Sequence, residues 1–181
     1  ERGLTVDREG FDAAFKEHQE KSRVLAGGQF KGGLESHSEM ATKYHTATHL
    51  LNAALKAVCS PDCNQKGSNI TDERMRFDFN FERPMTKEEI AAVEDLVNEK
   101  IKEDIPVVYK EMSLDEARAE HFVGVFDSKY GDVVKTYSIG DFSKEMCGGP
   151  HVASTGVLGH FKIVKEQSSS AGVRRIKAIL E

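Results

Sequence analysis

Hydrophobic and polar residues follow each other along this chain with changing periods, and each period predicts a different element. Between Ala41 and Cys59 the apolar residues recur at spacings of three and four, which predicts an amphipathic helix that ends before Ser60-Pro61. From Ile70 to Phe81 apolar and polar residues alternate, which predicts a half-buried strand.

The second half of the chain carries two further helix signals and several strand signals. Thr86 and Glu89 form a capping box ahead of an apolar stripe that continues to Ile101, and Ser113 and Glu116 form another ahead of a short helix. The predicted strands are Ile105–Tyr109, Val133–Ile139, Leu158–Val164 and Val173–Leu180. This pattern predicts an α+β fold of two layers, a mainly antiparallel sheet with helices packed on one face.

The first 35 residues follow a different pattern. A thin apolar stripe at Phe11, Ala14 and Phe15 predicts a helix, and the glycine-rich stretch Ala26–Gly33 predicts a flexible linker. A phosphate-binding loop is the alternative for these glycines, but they lack a Gly-Lys-Ser/Thr ending and a preceding strand signal. We therefore predict that residues 1–35 are a helical segment and linker from a neighbouring domain, and that residues 36–181 form the compact domain.

Composition narrows the class of protein. The 181 residues are 39% hydrophobic and 30% charged, as in an ordinary globular domain, and the net charge of −5 gives no general indication of nucleic-acid binding. There is no apolar run of membrane-spanning length and no signal-peptide pattern. Three cysteines, an odd number, favour reduced thiols, so we expect a cytoplasmic protein without a membrane segment.

Two pairs of residues predict a metal site. His45 and His49 lie one turn apart on the same face of the predicted helix, and Cys147 and His151 flank a Gly-Gly-Pro bend. One sulfur and three nitrogens are a ligand set that suits Zn²⁺, so we expect a zinc site where the helix meets this loop. The pattern leaves open whether zinc has a catalytic or a structural role.

Other residues near these pairs have open interpretations. Cys59 and Cys63 are rival metal ligands, although two ordinary thiols are the favoured interpretation because no further ligand pair remains. Asp141 and Glu145 precede Cys147 and are candidates to support the zinc ligands by hydrogen bonds, or else are solvated loop acids.

Five motifs, in order along the chain, resemble the editing domain of alanyl-tRNA synthetase and the related free-standing alanyl-tRNA editing proteins. They are His45–Leu51, Gln65–Ser68, Arg74–Phe79, Cys147–Val152 and Ala171–Ile176. The resemblance covers about residues 36–181, which makes this part the expected zinc-containing editing domain. The segment Gly3–Phe11 also resembles the part that precedes this domain in bacterial synthetases, so we expect a fragment of an ATP-binding alanine–tRNA ligase.

The resemblance implies hydrolysis of serine or glycine wrongly esterified to alanine tRNA, Ser-tRNA(Ala) or Gly-tRNA(Ala). It makes Thr46 and Gln65 the candidates for holding the ester and reading the amino-acid side chain. Lys66, Arg174 and Arg175 are the candidates for contacts with the acceptor end of tRNA(Ala), although alternation along a strand sends the two arginines to opposite faces. The expected partners are this tRNA and the remainder of the parent synthetase.

Two alternative functions remain open at this stage. Pro150 is more typical of the editing domain of threonyl-tRNA synthetase, which would make Ser-tRNA(Thr) the substrate. The other alternative is a non-catalytic, zinc-stabilised module that binds tRNA. The two enzymatic hypotheses and the binding hypothesis differ in whether mischarged tRNA is turned over.

Overall fold

The computed structural model describes residues 7–8, 10–16, 38–124 and 130–181. The chain divides into two compact units, Glu1–Lys31 and Gly32–Glu181. In the first unit, residues 10–16 are helical (α1), within the predicted N-terminal helix. The glycine-rich stretch 26–33 and the boundary at residues 35 and 36 lie outside the described residues, so that division stays a prediction.

The second unit contains three described helices and eight described strands. The helices are α2 (Glu39–Val58), α3 (Lys87–Lys102) and α4 (Leu114–Ala119), and Thr155–Leu158 form a 3-10 turn. The strands are β1 (Gln65–Ile70), β2 (Met75–Asn80), β3 (Val107–Ser113), β4 (Val123–Gly124), β5 (Val133–Ile139), β6 (Ser143–Met146), β7 (Phe161–Ser170) and β8 (Val173–Leu180). The predicted α+β class is confirmed.

The strands are divided between two four-stranded sheets, in the orders β1-β2-β8-β7 and β3-β5-β6-β4. The first sheet is antiparallel throughout, and in the second only the short β4–β6 pair is parallel. The sequence pattern suggested one sheet because alternation shows which face of a strand is buried but does not identify the neighbouring strand.

The main core lies between helices α2 and α3 and the first sheet. Leu50 and Leu51 of α2 and Phe77 and Phe79 of β2 are fully buried within one cluster, to which Val93 of α3 also belongs. A smaller cluster joins α4 to the second sheet. Among the described residues, no helix combines the length and the apolar character needed to span a bilayer.

Three strand predictions differ from the structure. The predicted strand Ile105–Tyr109 is shifted along the chain, because β3 runs from Val107 to Ser113. The predicted strand Ile70 to Phe81 begins only at Met75, because the preceding residues form the turn of a β1–β2 hairpin, in which the Thr71 N–H donates to the Arg74 carbonyl. The alternation rule missed β1 because its residues are mostly polar. The predicted strand Leu158–Val164 begins only at Phe161, because residues up to Leu158 form the 3-10 turn and Gly159 follows at φ +82°.

Candidate metal centre

The four predicted ligands come together in space. His45 and His49 lie one turn apart on α2 and are buried, while Cys147 and His151 lie in the loop that follows β6. One ligand atom from each residue lies within 4.8 Å of all the others. The ring centroids of His45 and His151 are 4.4 Å apart, and Nε2 of His45 lies 3.4 Å from Sγ of Cys147.

The Nδ1 atom of each histidine ring faces a polar group away from the cluster. These partners are the Pro150 carbonyl at 3.0 Å for His45, Oε2 of Glu145 at 2.6 Å for His49 and Oγ1 of Thr46 at 3.3 Å for His151. With Nδ1 occupied, Nε2 is the nitrogen left for the cluster. Within the described residues, Nε2 of His49 and Nε2 of His151 are buried without a hydrogen-bond partner, which a bound metal would relieve.

The protonation states of Cys147 and His151 match those of metal ligands. Burial alone raises the pKa of the Cys147 thiol, but the interactions of its sulfur with His151, His45 and His49 outweigh burial and lower the pKa to about 2. Burial, aided by the nearby charges of His49 and His45, lowers the pKa of His151 to about 4. At neutral pH the pair is therefore a thiolate and a neutral imidazole, which are the forms that bind metal.

His49 is held by a buried carboxylate. Burial works against its charged form, but the charge of Glu145 outweighs this and raises the pKa of His49 to about 10. Without a metal His49 is therefore charged at neutral pH, and it would release its Nε2 proton on binding one. In turn, the pKa of Glu145 is lowered: burial opposes the carboxylate form, and the charge of His49 together with its hydrogen bond favours it. Glu145 is 6% exposed, and its other oxygen accepts a 2.9 Å hydrogen bond from Nδ2 of Asn52.

Of the two acids proposed to support the ligands, the structure brings Glu145 to the cluster and leaves Asp141 outside it. The Asp141 side chain is fully exposed and forms an ion pair with Lys144 at 3.3 Å. Asn52 was missed in the sequence analysis. Its signal is a polar residue three positions after His49, within the buried apolar stripe of α2.

The Gly-Gly-Pro bend is shaped by its second glycine. A Cβ atom at Gly149 would lie 2.2 Å from Cε1 and 2.6 Å from Nδ1 of His45, whereas a Cβ at Gly148 would meet nothing within 4 Å. The backbone at Gly149 therefore lies directly against the His45 ring, and only glycine permits this approach.

A polar pocket of about 270 Å³ adjoins Glu145. Its lining consists of Asn52, Asn64, Gln65, Lys66, Val123, Gly124 and Glu145. Two of the predicted substrate-site residues, Gln65 and Lys66, are thus placed next to the carboxylate that holds His49. Oδ1 of Asn52 is buried and has no hydrogen-bond partner in the described part of the chain.

Thr46 lies behind His151 and is fully buried. Its hydroxyl donates to the Thr42 carbonyl at 3.2 Å and accepts from the Val152 N–H at 3.1 Å. These contacts assign Thr46 a role in positioning the His151 loop. A direct contact between Thr46 and a substrate stays a prediction.

Arg174 and Arg175 are both engaged by carboxylates. Arg174 forms a two-pronged pair with Glu166 at 2.5 and 2.9 Å, and Arg175 forms one with Asp78 at 2.6 and 2.7 Å. Because these guanidinium groups already have acidic partners, a phosphate would have to compete for them. Their predicted contact with tRNA stays a prediction.

Cys59 and Cys63 are not part of the cluster. Burial raises the pKa of Cys59 to about 11 and also raises that of Cys63, so both are protonated thiols at neutral pH. In the described ranges, the group of three or more side chains suited to a metal is the one formed by His45, His49, Cys147 and His151. This agrees with the interpretation of the two cysteines as ordinary thiols.

The chain is similar to known proteins both locally and along its length. Residues 134–177 match the family described as the threonyl and alanyl tRNA synthetase second additional domain. This stretch includes Cys147 and His151 and the two arginines of β8, whereas His45 and His49 lie before it.

Alanine–tRNA ligases match most or all of the chain. Those of Treponema denticola and Treponema pallidum are 60% and 59% identical over 181 residues, which is all of this chain and 30% of each relative. The ligase of Petrotoga mobilis is 47% identical over 145 residues, covering 80% of this chain and 17% of that protein. The chain thus spans about 30% of the length of the first two curated relatives. The resemblance indicated by the motifs is confirmed: the chain is similar, from end to end, to a segment of alanine–tRNA ligases that includes the second additional domain shared by threonyl and alanyl tRNA synthetases.

Proposed function

We propose that this chain hydrolyses mischarged tRNA, Ser-tRNA(Ala) and Gly-tRNA(Ala), as the editing region of an alanine–tRNA ligase in the cytoplasm. The observation that carries the proposal is the convergence of His45, His49, Cys147 and His151 beside a polar pocket that contains Gln65 and Lys66. The similarity to alanine–tRNA ligases supports the choice of tRNA.

The donor set fits Zn²⁺, since a thiolate and three imidazoles are borderline-soft ligands that suit a tetrahedral ion. Bound by these four side chains, zinc would supply a fixed positive charge beside the ester and would make this side of the site rigid. The protein sets the orientation of the ligands. The three histidine rings are oriented by contacts of their Nδ1 atoms with Glu145, the Pro150 carbonyl and Thr46. These contacts leave the Nε2 atoms facing the cluster.

Substrate selection requires the protein to hydrolyse Ser-tRNA(Ala) and Gly-tRNA(Ala) and to leave Ala-tRNA(Ala) intact. In a pocket lined by polar groups that need partners, a ligand without a hydroxyl leaves these groups unpaired, so the pocket can discriminate against it by up to about 10⁴-fold. A pocket that selects by size alone discriminates far less. Asn52, Gln65 and Lys66 supply such groups. Serine pairs with them through its hydroxyl, glycine leaves room for a water molecule, and the methyl group of alanine does neither.

The tRNA contacts are proposed for the exposed Lys66 first and for the two arginines of β8 second. Lys66 lines the pocket, so its ammonium group can meet the phosphate next to the ester. In the parent synthetase, other domains would supply most of the recognition of tRNA(Ala).

The test is a deacylation assay with the purified chain and four substrates: Ser-tRNA(Ala), Gly-tRNA(Ala), Ala-tRNA(Ala) and Ser-tRNA(Thr). The tRNA is kept in excess so that weak binding does not hide turnover. We expect hydrolysis of the first two, little of the third, and loss of both metal and activity in Cys147→Ala. Preferred hydrolysis of Ser-tRNA(Thr) would support the threonyl-type alternative suggested by Pro150. Binding without turnover would overturn the enzymatic proposal in favour of a tRNA-binding module.

A further inference from the structure

One row of side chains crosses the second sheet on the face that carries the metal centre. Tyr109 of β3 is paired in register with Tyr137 of β5, Tyr137 with Glu145 of β6, and Glu145 with Val123 of β4. Residues directly opposite each other on neighbouring strands project to the same face of a sheet. The four side chains therefore form one row on a single face.

The two middle residues of this row, Tyr137 and Glu145, contact the histidines of the metal centre. Tyr137 contacts His151 edge-on, with ring centroids 4.1 Å apart, and Glu145 contacts His49 at 2.6 Å. The polar pocket lies over the Glu145 and Val123 end of the row. The other end is aromatic, because Tyr109 lies 5.2 Å from Tyr137 between ring centroids.

The aromatic end is open to solvent. Tyr109 is 44% exposed and lies on β3, the outermost strand of its sheet. Its hydroxyl donates a hydrogen bond to Glu111, two residues along the same strand, which fixes the direction of the ring. An exposed tyrosine that is held in place at a site's rim is a poor contribution to the core and a good surface for a flat ligand.

We propose that Tyr109 and Tyr137 form a stacking platform for the terminal unpaired base of the tRNA acceptor end. The proposal rests on the proposed function, since that function places the ester of the terminal nucleotide at the metal centre. The ester and the base belong to one nucleotide. With the amino acid in the polar pocket, the ester beside the centre and the base on the tyrosines, the substrate lies along the row.

Stacking, rather than charge, provides the binding energy at this platform. Lys135, the next residue of β5 on this face, is paired across the strands with Glu111. These two neighbouring charges have opposite signs, so they add no net charge beside the tyrosines. Base–aromatic stacking contributes a roughly 5- to 100-fold gain in affinity for each base. The contribution of Tyr109 is therefore independent of salt concentration, unlike that of a lysine that contacts phosphate.

The chain contains no tryptophan, so a single introduced indole reports on one place. Tyr109→Trp puts that reporter on the platform, and Val164→Trp puts it at a 51% exposed position of β7 in the other sheet. Each variant is titrated with a short RNA that matches the 3′ acceptor strand and with the same RNA lacking its terminal base. We expect quenching only for Tyr109→Trp and only with the intact RNA. Equal quenching by the abasic RNA, or none by either, would overturn the proposal.

A second measurement uses catalysis of the full chain. Tyr109→Leu removes the ring, whereas Tyr109→Phe keeps the ring and removes the hydroxyl bond to Glu111. For Ser-tRNA(Ala) we expect a KM about 5- to 30-fold higher for the leucine variant at every salt concentration, an unchanged kcat, and values near wild type for phenylalanine. A leucine variant with the wild-type KM contradicts the platform.

The outcomes separate this inference from the function on which it rests. If the wild-type chain fails to deacylate any tRNA but base-dependent quenching is seen, the platform stands and the enzymatic proposal fails. If deacylation is seen and both tyrosine tests are negative, the enzymatic proposal stands and the platform fails.

Discussion

Oε2 of Glu145 lies 2.6 Å from Nδ1 of His49, across 96 residues of chain, and both side chains are buried. The carboxylate holds a proton on Nδ1 and so directs Nε2 towards Cys147 and His151. The orientation of His49 is therefore determined by β6 as much as by its own helix.

Removal of this carboxylate should weaken metal binding. For Glu145→Ala we expect zinc affinity to fall about 10- to 100-fold, because His49 and Asn52 both lose their partner, and for Glu145→Gln we expect a smaller loss. The measurement is competition with a chromophoric chelator, with circular dichroism as a check of folding. Asp141→Asn, at the exposed acid nearby, is the control and should bind like wild type. Wild-type affinity in Glu145→Ala would contradict the assigned role.

The two glycines of the bend provide a matched pair of substitutions. In Gly149→Ala the new methyl group would lie 2.2 Å from the His45 ring, so either the ring or the bend must move and zinc affinity should fall at least about tenfold. In Gly148→Ala the methyl group meets nothing within 4 Å, and affinity should be unchanged. Metal titration of the two variants checks this, and equal affinities would show that the close approach at Gly149 is unimportant.

We expect Arg174 to contribute more to the stability of the fold than to tRNA binding. Its partner Glu166 has a side chain only 6% exposed, so Arg174→Ala leaves a buried carboxylate without its partner and should lower the free energy of unfolding by about 1–3 kcal/mol. Lys66→Ala should change stability by less than about 0.5 kcal/mol and should reduce the slope of log K for tRNA against log salt by about one. Urea unfolding and salt-dependent tRNA binding measure the two effects. A stable Arg174→Ala protein with a reduced salt slope would favour a phosphate contact instead.

The capping box at the start of α3 gives a prediction about acid stability. Hydrogen bonds from Arg83, and then from the Thr86 backbone, lower the pKa of Glu89 from 4.5 to about 2. Since the pKa is lower in the folded state, the stabilisation is complete above pH 4.5 and is lost as the pH falls towards 2. Glu89→Gln should lower the free energy of unfolding by about 1 kcal/mol at pH 7, with solvent screening limiting the effect, and by almost nothing near pH 2.

Urea unfolding at the two pH values tests this assignment. Asp95→Asn removes the same charge from an exposed position in the middle of α3 and should have little effect at either pH. A loss in Glu89→Gln that persists undiminished near pH 2 would show that the carboxylate charge is not its source.

Local sequence determined the elements whose signals are themselves local. The period of α2 placed His45 and His49 on one face, the capping boxes marked the starts of α3 and α4, and alternation located Val133–Ile139 and Val173–Leu180 at the bounds seen in the structure. Each signal depends on residues within a few positions of one another. The Gly-Gly-Pro bend similarly marked Cys147 and His151 as residues outside any regular period.

Only the tertiary structure decided which elements meet. The pairing of β1 with β2, the division into two sheets, the support of His49 by Glu145 and the row from Tyr109 to Val123 depend on strand register and on contacts between residues far apart in sequence. A one-residue shift of β6 would turn Glu145 away from the metal centre, yet β6 alone contains no signal that fixes its partners. The metal ligands can thus be predicted from the sequence, whereas the groups that orient them are brought into place only by tertiary packing.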